Sequence, residues 1–251
     1  MNEQININQT PIVAFASGKG GAGKTSTCLN FATSLAKKGK KVLVFDADFG
    51  LANIDVQLGI TPSKDLSHVI SGTATLEETI TKSDRGFYVI PGRSGSENLP
   101  FINTLERRDI LKKLRDLAGA FDVVFLDVAA GVGDEVLTFA NFADTTLLVV
   151  TPDPSSITDA YAVIKLMKLR HEKTNCKVLV TQAGGEMEGK QTYEKLKKAA
   201  ENFLKIEVPL LGVIPYDRQY AAAVKMQKLC VDAFPDSKAS ERIAQLALNL
   251  L

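Results

Sequence analysis

The amino-acid sequence predicts a doubly wound α/β fold, a mainly parallel sheet flanked by helices. Two patterns predict it. Seven short runs are almost continuously apolar and rich in β-branched residues, as strands buried on both faces must be. Segments with helical patterning lie between them, and such alternation builds a parallel sheet through right-handed crossovers. The irregular stretches 48–64, 91–103, 128–135 and 183–190 follow strand ends. In sheets of this kind, ligands bind outside the carboxyl ends of the strands.

Taken in order, the first strand is PIVAFAS (11–17), which runs through a glycine-rich loop into a helix over 25–38. KVLVFDA (41–47) and GFYVIPG (86–92) are the next two strands. A helix over 104–118 leads to FDVVFLDV (121–128) and then DTTLLVV (144–150). A helix over 157–171 precedes CKVLVTQ (176–182), and another over 191–203 precedes PLLGVIP (209–215). The closing SERIAQLALNLL reads as a last helix packed on the domain in preference to a membrane-binding helix, for which Ile243, Leu246, Leu248 and Leu251 could form an apolar stripe. No repeat, low-complexity tract or Gly/Ser linker interrupts the pattern. Residues 1–251 therefore read as one domain with a short polar tail over 1–10.

At 251 residues, 45% hydrophobic and 24% charged, the chain can bury a sizeable core. Thirty Lys and Arg against 29 Asp and Glu give a net charge of +1, so only a local patch could serve nucleic-acid binding. Cys28, Cys176 and Cys230 are scattered, with no CxxC. That argues against a disulfide framework or zinc site and suits a reducing cytosol. His68 and His171 are far apart and suggest no metal or catalytic role. The start MNEQININQT has neither the basic beginning nor the apolar core of a signal peptide. No apolar run approaches the ~20 residues that a membrane-spanning helix needs.

The chemistry starts at SGKGGAGKTST, 17–27, which satisfies the phosphate-loop pattern GxxxxGK[ST] through Gly18, Gly23, Lys24 and Thr25. It sits between a predicted strand and a predicted helix, as the motif requires. Glycines let backbone N–H groups converge on phosphate oxygens, and the helix N-terminus adds its own donors. Lys24 would hold the β- and γ-phosphates, and the Thr25 hydroxyl would ligate Mg²⁺. A second strand end must supply a carboxylate, and VVFLDVAAG offers Asp127. Asp46 and Asp48 leave the strand 41–47 together and would repel without a cation nearby. They read either as a turn and helix cap, or as one aspartate near the metal and one orienting a water. Lys19 is a second loop lysine with no role in the basic motif.

KGGAGKT with that extra lysine, DADFGLANID and DVAAG resemble the MinD/ParA family of deviant-Walker P-loop ATPases. VVTPDPSSITDAYAVIKLMK, GVIPYDRQ, FPDSKASERIAQLA and the PGRSG at 91–95 extend the likeness from about 12 to 246. Within the family they look most like the regulators of flagellar number. The resemblance implies a slow, Mg²⁺-dependent ATPase that binds ATP or ADP and forms a homodimer face to face on ATP. Its catalytic residues would be Lys19, Lys24 and Asp48, with Asp48 positioning the attacking water. Lys19 would reach into the partner's site and neutralise phosphate charge there, as an arginine finger does. Thr25, Asp46 and Asp127 would serve the metal, Asp127 through water, and Gly131 would sit in the γ-phosphate-sensing segment. Nucleotide contacts would come from Gly18, Lys19, Gly20, Gly21, Ala22, Gly23, Lys24, Thr25 and Ser26. Asp153 would approach the partner's nucleotide, and Thr181, Gln182, Pro215, Tyr216 and Asp217 would line the adenine. Segments 48–59 and 128–135 would loosen when the γ-phosphate is lost.

The implied partners are flagellar or cell-polarity proteins, and the implied location is cytoplasmic, either free or peripheral at the inner membrane or cell pole. QLALNLL has no Lys or Arg for anionic headgroups, so membrane association is expected to be weak or absent. MNEQININQTP lacks the helical motif with which many such regulators stimulate a partner GTPase. The cysteines do not fit an iron–sulfur relative, and Tyr220 as last tyrosine does not fit a tyrosine autokinase. Two alternatives stay open, a partition ATPase that binds DNA non-specifically and a division-site ATPase. The basic candidates 105–115, 165–173 and 194–200 carry interleaved acids, so they read better as solvated helix faces than as DNA contacts.

Overall fold

A computed structural model describes residues 9–49, 52–92, 103–171 and 175–251. Most of the polar tail, residues 93–95 of PGRSG, residues 50–51 of the first switch-like segment and 172–173 of one basic candidate lie outside them. Eight strands are described: β1 Ile12–Ala16, β2 Val42–Ala47, β3 Thr81–Lys82, β4 Tyr88–Ile90, β5 Val123–Val128, β6 Thr145–Val150, β7 Cys176–Ala183 and β8 Leu210–Pro215. They form one sheet in the order β3-β4-β2-β5-β1-β6-β7-β8. All pairs are parallel except β3 with β4. Because β1, β2 and β5 are neighbours, the residues leaving their carboxyl ends converge on one edge.

The helices are α1 Lys24–Ala36, α2 Ile54–Leu58, α3 Leu66–Ile70, α4 Thr104–Ala118, α5 Asp134–Phe142, α6 Pro154–His171, α7 Glu186–Ala199, α8 Arg218–Lys225, α9 Cys230–Ala233 and α10 Lys238–Leu248. Strand side chains alternate between two apolar layers. Val13, Phe15, Val44, Phe125 and Leu147 pack with Leu29, Phe31 and Leu35 of α1 and Ile243 and Leu246 of α10. Ile12, Ala14, Phe45 and Leu126 face Leu111 and Leu114 of α4 and Phe139 of α5. Leu148, Val150 and Val180 face Val163, Ile164 and Met167 of α6 and Leu196 of α7. The sheet is therefore covered on both sides, the doubly wound arrangement that the apolar runs predict. Cys28, Cys176 and Cys230 are free thiols buried in these layers.

All seven predicted strands are present. The added β3 has two residues, too few to show any periodicity. Helix α6 begins three residues before the expected 157, because Pro154 fits the first helical position, where its missing N–H costs nothing. Helix α7 begins at Glu186 and not 191, with Glu186 and Glu188 complementing the positive helix terminus. Helix α10 packs on the domain as expected, with Ile243 and Leu246 buried, while Leu248 at its end and Leu251 beyond it remain 43% and 46% exposed. No described helix is long and apolar enough to cross a membrane.

Candidate nucleotide site

The loop between β1 and α1 is the centre of the site. Gly21 and Gly23 both have φ near +82°, a left-handed conformation that glycine adopts without steric cost. Gly18 is needed for a different reason. A Cβ there would lie 2.4 Å from the backbone of Asp159, so α6 packs directly on the loop. At the opposite side, Gly131, with φ +109°, donates its N–H to the Ser17 carbonyl at 2.9 Å. The segment after β5 is thereby tied to the loop after β1.

Lys24 and Thr25 both turn toward Asp127. Lys24 Nζ lies 2.6 Å from Asp127 Oδ1, and Thr25 Oγ1 donates to Asp127 Oδ2 at 2.6 Å. Lys24 and Asp127 are both buried. Asp46 lies in register with Asp127 across β2 and β5 and is 1% exposed. Burial first, and the Asp127 carboxylate second, push its carboxyl up to about 7. Backbone N–H groups of Asp48, Asn53 and Ile54 donate to it at 3.2 Å each, so Asp46 also anchors the start of α2. The carboxylate that crowds Asp46 is thus Asp127, not Asp48 as the sequence suggested. Asp48 leaves the strand toward the loop and lines a cavity of about 510 Å³ with Lys24, Thr25 and Ala130. It is also near Glu135 at the start of α5. Burial raises that carboxyl, with Asp48 adding to the rise and Arg107 of α4 opposing it.

Lys19 does not line this cavity. It pairs with Asp153 and donates to Ser155 Oγ at 2.8 Å, at a more open cleft of about 500 Å³ that Thr151, Gln182 and Glu188 share. The Lys19 ammonium and a backbone N–H from Ser155 hold the Asp153 carboxyl below its usual range.

The five residues expected around adenine do come together. Thr181, Gln182, Pro215, Tyr216 and Asp217 line a cavity of about 430 Å³ that adjoins the loop at Gly21–Gly23. Thr181 Oγ1 donates to the Ala22 carbonyl at 2.9 Å, and Gln182 Nε2 to that of Gly21 at 3.2 Å. Gln182 itself has φ +58°, a strained setting of the kind that concentrates at functional sites. The sequence reading missed the wall made by α8. Tyr220, Ala221, Val224 and Lys225 line the same cavity, and the Tyr220 hydroxyl lies 2.8 Å from Ser26 Oγ. Periodicity over a helix this short is too weak to show which face turns to a cavity.

The residues present fit a magnesium nucleotide. Thr25 and Asp127 offer the hard oxygen donors that Mg²⁺ takes, and Asp46 adds a buried carboxylate beside them. A glycine-lined cradle continues into an apolar cavity large enough for a base.

Fold and site together define a phosphate-loop nucleotide-binding protein. Residues 13–230 match the CobQ/CobB/MinD/ParA nucleotide binding domain. The antiactivator FleN of Pseudomonas aeruginosa is 38% identical over 240 residues, 96% of this chain and 86% of that protein. The flagellum site-determining protein YlxH of Helicobacter pylori is 38% identical over 243 residues, covering 96% and 82%. Among solved structures, the septum site-determining protein MinD of Pyrococcus horikoshii, complexed with Mg-ADP, superposes with a TM-score of 0.76 at 26% identity, covering 96% of this chain and 95% of that one. The chain belongs to the CobQ/CobB/MinD/ParA family. It is an ATPase of the MinD/ParA type, with ATP or ADP and Mg²⁺ as its ligands.

Proposed function

We propose that this protein is an ATP-operated switch that pairs face to face with a second copy of itself and sets the number or placement of flagella. The observation that carries the pairing is the position of Lys19. This cation of the phosphate loop lies outside the cavity that Lys24 and Thr25 line, and is held in the neighbouring cleft by Asp153 and Ser155. A lysine so placed is poor at serving its own nucleotide and well placed to serve one presented by a facing copy. Asp153 parks it until the partner arrives, and then meets the partner's nucleotide.

Lys24 holds the terminal phosphates, and Thr25, Asp46 and Asp127 serve the metal. Asp48 orients the attacking water, and Thr181, Gln182, Pro215, Tyr216 and Asp217 hold the base. Residues 1–251 act as one domain. Hydrolysis is slow, so that the states before and after it last long enough to be read by other proteins. The flagellar assignment rests on the named roles of FleN and YlxH, each similar over nearly the whole chain. Its partners would then be flagellar or cell-pole proteins, met in the cytoplasm or at the inner membrane.

The test is molecular mass in solution with ADP and with ATP, on an Asp48→Ala variant that blocks hydrolysis. A dimer should form with ATP alone and be lost when Lys19→Ala is added. A mass that ignores the nucleotide overturns the switch.

A further inference from the structure

The corner after α8 touches both cavities: Val224 lines the two of them, Lys225 the base cavity, and Gln227, Lys228 and Leu229 the phosphate-side cavity. Helix α8 ends in a Schellman-type turn, with the Gln227 N–H donating to the Val224 carbonyl at 3.0 Å and the Lys228 N–H to the Ala223 carbonyl at 2.9 Å. That turn needs a left-handed residue, usually glycine. Here it is Gln227, at φ +54°. The chain leaving the turn is pinned on its far side. Leu229 is buried, and the Val231 N–H donates to Asn30 Oδ1 of α1 at 3.1 Å. Asn30 Nδ2 in turn donates to the Ser26 carbonyl at 2.7 Å, so the corner is fixed to the helix that opens the phosphate loop.

Lys228 is held between these anchors and lines the cavity of about 510 Å³ together with Lys24, Thr25 and Asp48. The loop's own two lysines are already engaged. Lys24 is paired with Asp127, and Lys19 with Asp153 at the other cleft. Lys228 makes no ion pair and no side-chain hydrogen bond among the described residues. Lys228 is exposed, and a lysine with no partner among the described residues, on the lining of a cavity beside a phosphate loop, is suited to a polyphosphate chain.

We propose that Lys228 is a nucleotide-binding residue that grips the phosphate chain in cis, from the corner between α8 and α9. The α8–α9 corner would then read base and phosphates together, since Val224 lines both cavities. This rests on the reading of the larger cavity as the phosphate site.

The experiment measures dissociation constants for ADP, ATP and, by competition, adenosine, on wild type, Lys228→Ala, Lys228→Gln and Lys228→Arg. Lys195→Ala, on the exposed face of α7, is the control for general loss of charge. Lys228→Ala and Lys228→Gln should weaken ADP and ATP by about tenfold, the size of one lost charge-assisted hydrogen bond. Adenosine should change by less than about twofold, Lys228→Arg should recover most of the affinity, and added salt should weaken ADP less in the alanine variant than in wild type. Unchanged ADP affinity in both neutral variants overturns the proposal. So does an equal loss for ADP and adenosine, which would mark Lys228 as a structural support of the corner. A wild-type protein that binds neither ADP nor ATP would instead overturn the nucleotide site itself, a separate result.

Discussion

At Asp46 two demands oppose each other. The carboxylate must stay in the strand to anchor the N–H groups of Asp48, Asn53 and Ile54, yet it is buried beside Asp127. Burial and that neighbour raise it to about 7, from 3.8 for an ordinary aspartate. The folded protein therefore binds more protons than the unfolded chain between those values. Its contribution to stability is complete below the unfolded value and is lost as pH rises through about 7. In protein free of nucleotide and metal, the urea midpoint should fall from pH 5.5 to pH 8, and Asp46→Asn should flatten that slope. A wild-type midpoint that does not fall over this range would refute the assignment. The sequence showed that Asp46, Asp48 and Asp127 lie at strand ends, because apolar runs end there. It could not show which two face each other, since that depends on β2 and β5 being neighbours in the sheet. Lys228 was invisible for a related reason, as its place follows from a left-handed turn at a residue that is not glycine.

Among the elements, α7 shows how closely a helix can be fitted to the sheet. Gly189 is the fourth residue of this helix, where alanine would ordinarily be better by about 1 kcal/mol. A Cβ there would come within 2.3 Å of Val213 Cγ1 on β8, and valine is stiff at χ1. Overpacking should outweigh propensity. Gly189→Ala is expected to cost about 1–3 kcal/mol and lower Tm by roughly 2–10 °C, and adding Val213→Ala should recover part of the loss. A Tm that rises in the single variant would show that the layers can slide apart. Helix beginnings were the least legible feature of the sequence. GGEMEG looks like loop, yet the helix starts inside it at Glu186. Helix α5, directly after the glycines of 129–133, was not anticipated, because nine residues give only two turns of periodicity.

For the whole molecule, the strands were legible because burial on both faces demands apolar residues at every position. The order of strands was not, since parallel neighbours are joined by helices whose destination no local pattern encodes. What the fold does with its cysteines has a practical side. Cys28, Cys176 and Cys230 lie one in α1, one in β7 and one in α9, all shielded from solvent. Burial also raises the thiols of Cys28 and Cys176, so little thiolate is present even where a reagent could enter. A thiol reagent added to the native protein should therefore find almost nothing to attack until the chain opens, and three equivalents should then react. The molecule carries its own unfolding clock. Binding of Mg-nucleotide should slow it, because ligand drawn to the closed form depletes the open one. If one thiol reacts at once while the others wait, the part of the fold that holds it opens independently. With so dark a native background, a single cysteine introduced on the surface could be labelled cleanly, and the proposed pairing of two copies tested by light.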